Sequence, residues 1–206
     1  MGFLKGNVTF RRYRVVEDPP VDFRNFFDER IKLHAFSETT AETREKIIGW
    51  TSVGNVLDTD FQYASYLYGE YVLFNLRVDR KIIPPALLRV KTLEAEERYL
   101  KEQGLKKIFR QQRAEIRDRV RKELLKKITP VPSFHEVCWS YAEGWLLFGT
   151  LSEKAAEDFE ELFKQTFNLQ LVPHVPWDPA LLEPEIIESL SSAGNQSSLR
   201  SIDNGN

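Results

Sequence analysis

Between Tyr71 and Asp79 apolar and polar side chains take turns: Val72, Phe74, Leu76 and Val78 alternate with Asn75, Arg77 and Asp79. A period of two sends successive side chains to opposite faces, so "YVLFNLRVDRKIIP" predicts a strand over Tyr71–Pro84. After Pro84-Pro85 the period lengthens. Leu87, Val90, Leu93 and Leu100 fall at helical spacing, and Gly104 suits the helix end. A second helix is expected over Leu105–Ile128, with an apolar seam at Leu105, Phe109, Ile116, Val120 and Leu124. Pro130 and Pro132 in "TPVPS" cannot continue it.

The flanks repeat a simpler theme. "FLKGNVTFRRYRVV" alternates loosely and predicts a strand over Phe3–Val16, closed by "EDPP". Phe23, Phe26, Phe27, Ile31 and Leu33 then suit an amphipathic helix beginning after Pro20. The stretch from Ser37 is polar until Ile47, Ile48 and Trp50, and "TSVGNVLDTDFQYASYLYGE" reads as loop with a short strand or two. "HEVCWSYAEGWLLFGTL" is a β-hairpin around Ala142-Glu143-Gly144, where glycine allows positive φ. Ser152 is a good N-cap for a helix whose buried stripe is Ala155, Phe159, Leu162, Phe163 and Phe167. A last strand covers Leu169–Val175, and the segment after Asp178 turns polar and ends rich in Ser, Gly and Asn. The expected fold is α+β, with antiparallel or mixed sheets and helices on one face. It comprises two βαβ-like halves (1–83 and 129–177), an inserted helical hairpin (84–128) and a largely disordered tail (178–206).

Charge changes this picture most. The 206 residues carry a net charge of −2, yet Pro84 to Lys127 holds fourteen Arg and Lys against seven Asp and Glu, a local +7 that leaves −9 for the rest. Lys106, Arg110, Arg113, Arg117 and Arg121 step by four, three, four and four, which sets them on one helical face. Lys107, Arg119, Lys122, Lys126 and Lys127 widen the positive surface. Such a row can follow the phosphates of a duplex, and each phosphate neutralised releases counterions. The same row can equally be a solvated face laced with i,i+4 pairs, such as Glu115–Arg119 and Glu123–Lys127.

Other chemistry is sparse. His34, His135 and His174 are scattered without zinc spacing. Cys138, the single cysteine, lies in an apolar strand, which suits a buried thiol in a reducing compartment. Asp58 and Asp60 in "DTD" are the one pair that would suit magnesium in a nuclease, against the ordinary reading of a solvated loop. Trp139, Tyr141, Trp145 and Phe148 either pack in the core or stack on bases as in single-strand binders. No apolar run reaches membrane-spanning length, and no cofactor is expected.

The succession of "RKIIPPALLRVKTLEAEE", "RDRVRKELLKKITPVPSFHEVCW", "GWLLFGTLSEKAAEDFEELFKQTF" and "LVPHVP", preceded by Gly49-Trp50, resembles the RdgC family of bacterial recombination-associated proteins. The likeness covers about Gly2 to Pro176 and lies in the order of the pieces, since no single piece is specific. It implies a non-enzymatic, cytoplasmic, nucleoid-associated protein. Relatives are homodimers that close as a ring around double-stranded DNA, bind it with little sequence preference and hinder RecA. Their basic channel lining would fall here on Lys106, Arg110, Arg113, Arg117 and Arg121. Relatives also continue further, so this chain is expected to be a shortened member lacking their C-terminal part. A protein-interaction or dimerisation module, and a metal-dependent nuclease, are the alternatives.

Overall fold

Residues 2–4, 6, 8–38, 44–174 and 186 are described, from a computed structural model. The expected strand over Tyr71–Pro84 forms as β4 (Tyr71–Arg80), flanked by β2 (Lys46–Ser52) and β5 (Val131–Ser140). With β1 (Arg11–Val15), β3 (Leu67–Tyr68), β6 (Trp145–Phe148) and β7 (Leu171–Pro173) they make one seven-stranded sheet. Its order is β2-β4-β5-β6-β1-β7, with β3 added beside β4. Every strand pair is antiparallel, so the fold is α+β. Strands from before and after the inserted hairpin interleave: β1 lies between β6 and β7.

Alternation decides which face becomes core. Val72, Phe74, Leu76 and Val78 of β4 share a face with Val137 and Trp139 of β5, Leu146 and Phe148 of β6, Trp50 of β2 and Tyr13 and Val15 of β1. Two helices cover that face, α1 (Phe23–Leu33) and α4 (Glu153–Phe167). α4 begins at Ser152, whose hydroxyl accepts the Ala155 N–H, and ends at Asn168 in the left-handed region. Between them lies an aromatic cluster in which Phe27 stacks on Phe167 at 5.2 Å and Phe148 on Phe159 at 4.2 Å. The Trp50 indole N–H donates to Thr166 Oγ1 at 2.8 Å, joining β2 to α4.

One charged group enters this interface. Asp158 of α4 accepts from Lys46 Nζ and Arg80 Nη2, each at 2.5 Å, which ties the helix to β2 and β4. His135 lies on the same sheet face, and burial, reinforced by the Arg80 charge, holds its pKa below the ordinary value. Burial likewise pushes the Cys138 thiol up to about 11, so it stays protonated at neutral pH.

Four expectations shift. The first strand begins at Arg11 rather than Phe3, because Gly6 turns with φ 117° and the chain before it crosses to β5, where Glu136 accepts the Phe3 N–H. β2 forms where no definite strand was expected, and its Gly49 meets the crossing chain at Phe36: a Cβ there would lie 2.4 Å from Phe36 Cα. The last strand is three residues long. The hairpin's second helix starts at Arg110, five residues late. The polar tail expected from Asp178 lies outside the described residues, Ile186 excepted.

Candidate nucleic-acid interface

The hairpin grows from the end of the β4–β5 ladder, where Arg80 pairs with Val131. Pro85 opens α2 (Pro85–Gln103), a position where its missing N–H costs nothing. Gly104 ends α2 with φ 62°, a left-handed conformation that costs a Cβ-bearing residue about 1 kcal/mol. The chain then needs residues 105–109 to reverse before α3 (Arg110–Lys127) begins. Gln112 steadies that start from both ends of its amide, accepting the Phe109 N–H at 3.1 Å and donating to Tyr99 Oη on α2 at 3.2 Å.

The late start redistributes the basic residues. Lys106 and Lys107 sit in the reversal, so Lys106 does not share the helical face expected for it. Leu105 and Phe109 leave the seam for the same reason and are exposed, Phe109 to 73%. The buried seam of α3 is Ile116, Val120 and Leu125.

The helical part of the stripe does come together. Arg110, Arg113, Arg117 and Arg121 line one wall of a groove of about 1120 Å³ between α3, α2 and the Lys81–Ile83 segment. Arg89 of α2 and Lys81 complete its cationic lining, against three acids, Glu45, Glu96 and Asp118. Two stripe residues are already paired: Arg113 with Glu96 at 3.1 Å and Arg121 with Glu45 at 2.5 Å. Arg110 and Arg117 have no ion-pair partner within 4 Å among the described residues. Arg119 and Lys127 line a different groove on the other side of the hairpin, so the positive surface is split rather than merely widened. Lys122 pairs with Asp118 at 2.8 Å. All ten candidate cations, Lys126 included, are exposed.

Two contacts fix the hairpin to the sheet at its base. Lys81 Nζ donates to the Leu125 carbonyl at 2.7 Å, and the Arg121–Glu45 pair joins α3 to the residue before β2. The apolar surface of α2 is left open, with Leu87, Val90 and Leu93 at 37%, 51% and 52% exposure.

The nuclease candidates read differently in place. Asp58 Oδ1 accepts the N–H groups of Asp60 and Phe61, and its Oδ2 accepts from Ser65, so this carboxylate shapes its own loop. Among the described residues no three His, Cys, Asp or Glu side chains gather to hold a metal ion. No helix among them is long and apolar enough to cross a membrane.

Of the aromatics singled out by pattern, Trp139 and Phe148 are core and Tyr141 stacks on Phe23 at 4.2 Å. Trp145 alone turns to the opposite face. No curated protein matches the chain. A family model described as "Putative exonuclease, RdgC" matches residues 7–181, which takes in the whole described sheet and the hairpin. The chain belongs to the RdgC family.

Proposed function

We propose that the protein binds double-stranded DNA without sequence preference, through the arginine-lined groove of its helical hairpin. The observation that carries this reading is the alignment of Arg110, Arg113, Arg117 and Arg121 along one wall, with Arg110 and Arg117 unpaired among the described residues. At about 1.5 Å per residue the four span roughly 16 Å, enough to meet successive phosphates along a duplex. Guanidinium groups suit phosphate oxygens in a two-pronged geometry, and phosphates carry no sequence information. The Arg121–Glu45 pair is half exposed on both sides and worth little, so a phosphate can replace Glu45, whereas Glu96 is only 13% exposed and holds Arg113 more firmly.

Family membership supports the role of a recombination-associated protein; we infer in addition that it works as a homodimer and obstructs RecA by occupying DNA. Exposed Leu87, Val90 and Leu93 on α2 support a protein contact on the hairpin beside the basic wall. The protein acts by occlusion rather than cleavage.

Anisotropy of a fluorescent duplex of about 30 base pairs, titrated across salt concentrations, tests this directly. Affinity is expected to fall steeply with salt, and Arg110→Glu/Arg117→Glu is expected to lower it at least about tenfold while flattening the slope. Binding that ignores both salt and the double variant would leave the hairpin as a protein-contact arm only. The labelled duplex is expected to remain uncut in magnesium; cleavage abolished by Asp60→Asn would instead favour the exonuclease description.

A further inference from the structure

A duplex meets only one wall of the hairpin groove. The other wall, built from α2 and the Lys81–Ile83 segment, includes Ile82, Ile83, Leu88 and Leu93. Ile82 and Leu93 are exposed to 66% and 52%, and Arg110 and Arg117 lack ion-pair partners among the described residues. A duplex offers phosphates to the arginines and little to the apolar side chains. The occupant that suits both walls is acidic and apolar at once. Such a segment lies in the chain itself. Residues 178–190, "DPALLEPEIIESL", hold four acids and no Lys or Arg, interspersed with Leu181, Leu182, Ile186, Ile187 and Leu190. Of these only Ile186 is among the described residues.

Chain direction makes the contact reachable. Register sets Pro173 of β7 beside Tyr13, Tyr13 beside Leu146, Leu146 beside Trp139 and Trp139 beside Val72 of β4. β7 therefore points along β4 toward Arg80, the end from which the hairpin grows. From Pro173 that root lies about 26 Å along the sheet and about 19 Å across it, at strand spacings of roughly 4.8 Å. The direct span is about 32 Å, which roughly ten extended residues cover. Glu183 and the residues after it can reach the groove.

We propose that residues 178–190 dock in this groove, with their acids on Arg110 and Arg117 and their apolar side chains on Ile82 and Leu93, and that a duplex must displace them to bind. The docking stands without the duplex reading; the displacement rests on it. The tether holds the segment at an effective concentration of about a millimolar, so exposed pairs that are weak one by one suffice.

Disulfide trapping in the full chain reads the docking directly. Ala114 is exposed on α3 within the groove, so Ala114→Cys/Ser189→Cys reports contact, and Glu29→Cys/Ser189→Cys, on the exposed side of α1, is the comparison. Cys138 stays in place, half-buried and protonated. Under a mild oxidant the Ala114 pair is expected to link within one chain at least about tenfold faster than the Glu29 pair. Glu183→Gln/Glu185→Gln/Glu188→Gln is expected to erase that advantage. Equal rates, or links formed only between two chains, overturn the docking. Duplex anisotropy reads the displacement. The triple Gln variant is expected to bind at least about threefold more tightly at low salt, a gain that vanishes in an Arg110→Glu/Arg117→Glu background. An unchanged duplex affinity in the triple variant overturns the displacement. A chain that traps the segment yet binds no duplex refutes the duplex reading and leaves the docking standing; one that binds duplex without trapping does the reverse.

Discussion

α4 and α3 are helices of similar length with opposite uses. α4 turns eight of its fifteen residues inward, among them Phe159, Phe163 and Phe167, against the sheet and α1. α3 buries three of eighteen, and α2 only Thr92. The first pair of layers is a body whose residue identities answer to packing. The hairpin is an arm whose identities answer mainly to solvent and to whatever it touches. The same chain therefore keeps its stability and its proposed DNA contact in separate places.

The sharpest way to break this contrast is to remove one apolar side chain from each region. Phe27→Ala empties a fully buried site among Tyr66, Phe74, Trp139 and Phe167, and is expected to cost about 3–5 kcal/mol in urea denaturation. Ile116→Ala in the thin hairpin seam is expected to cost about 2 kcal/mol or less, since its surroundings can collapse. Equal costs would mean that the hairpin is part of the main core.

Asp158→Asn probes the charged seam of the body. It leaves Lys46 and Arg80 without their carboxylate, but both still reach solvent, at 39% and 26% exposure. The expected loss is therefore about 1–2 kcal/mol, below that of a fully buried pair. Thermal unfolding of the two proteins side by side measures it.

The smallest effect is expected from His135. Its pKa is lowered in the folded state, so folding favours the neutral ring. Above the unfolded value near 6.5 both states are neutral and nothing is lost; as pH falls below it, the unfolded chain takes up a proton first and stability declines. The decline ends once pH passes below the folded value. His135→Gln is expected to flatten the stability profile in that window, and the hairpin charge reversals are expected to leave it unaltered.

How legible each part was in the sequence follows from where its cause lies. β4 and α4 were readable because their periods are strong and one face of each is wholly core. β2 was obscured by Gly49, whose lack of a Cβ makes sense only once Phe36 is seen to cross above it. The expected first strand exceeds the observed one because Phe3 and Leu4 look like strand residues, whereas the Phe3 N–H is diverted to Glu136. In the hairpin, the four-three-four-four spacing correctly grouped Arg110, Arg113, Arg117 and Arg121. It carried Lys106 along in error, because the reversal after Gly104 resets the helical phase. Trp145 looked like its neighbours Trp139 and Phe148, but strand pairing, not spacing alone, decides which face each side chain takes.

The base of the hairpin has a mechanical consequence. Joined to the body by two chain crossings, with a lysine–carbonyl bond and an arginine–glutamate pair among the contacts of the described residues at its base, the arm is a cantilever about 28 Å long at 1.5 Å per residue of α2. A pivot of roughly 10° at its root moves the tip by about 5 Å, close to one helical turn. In the proposed duplex contact, such leverage would let the row of cations follow local variation in groove width and curvature without any repacking of the aromatic core.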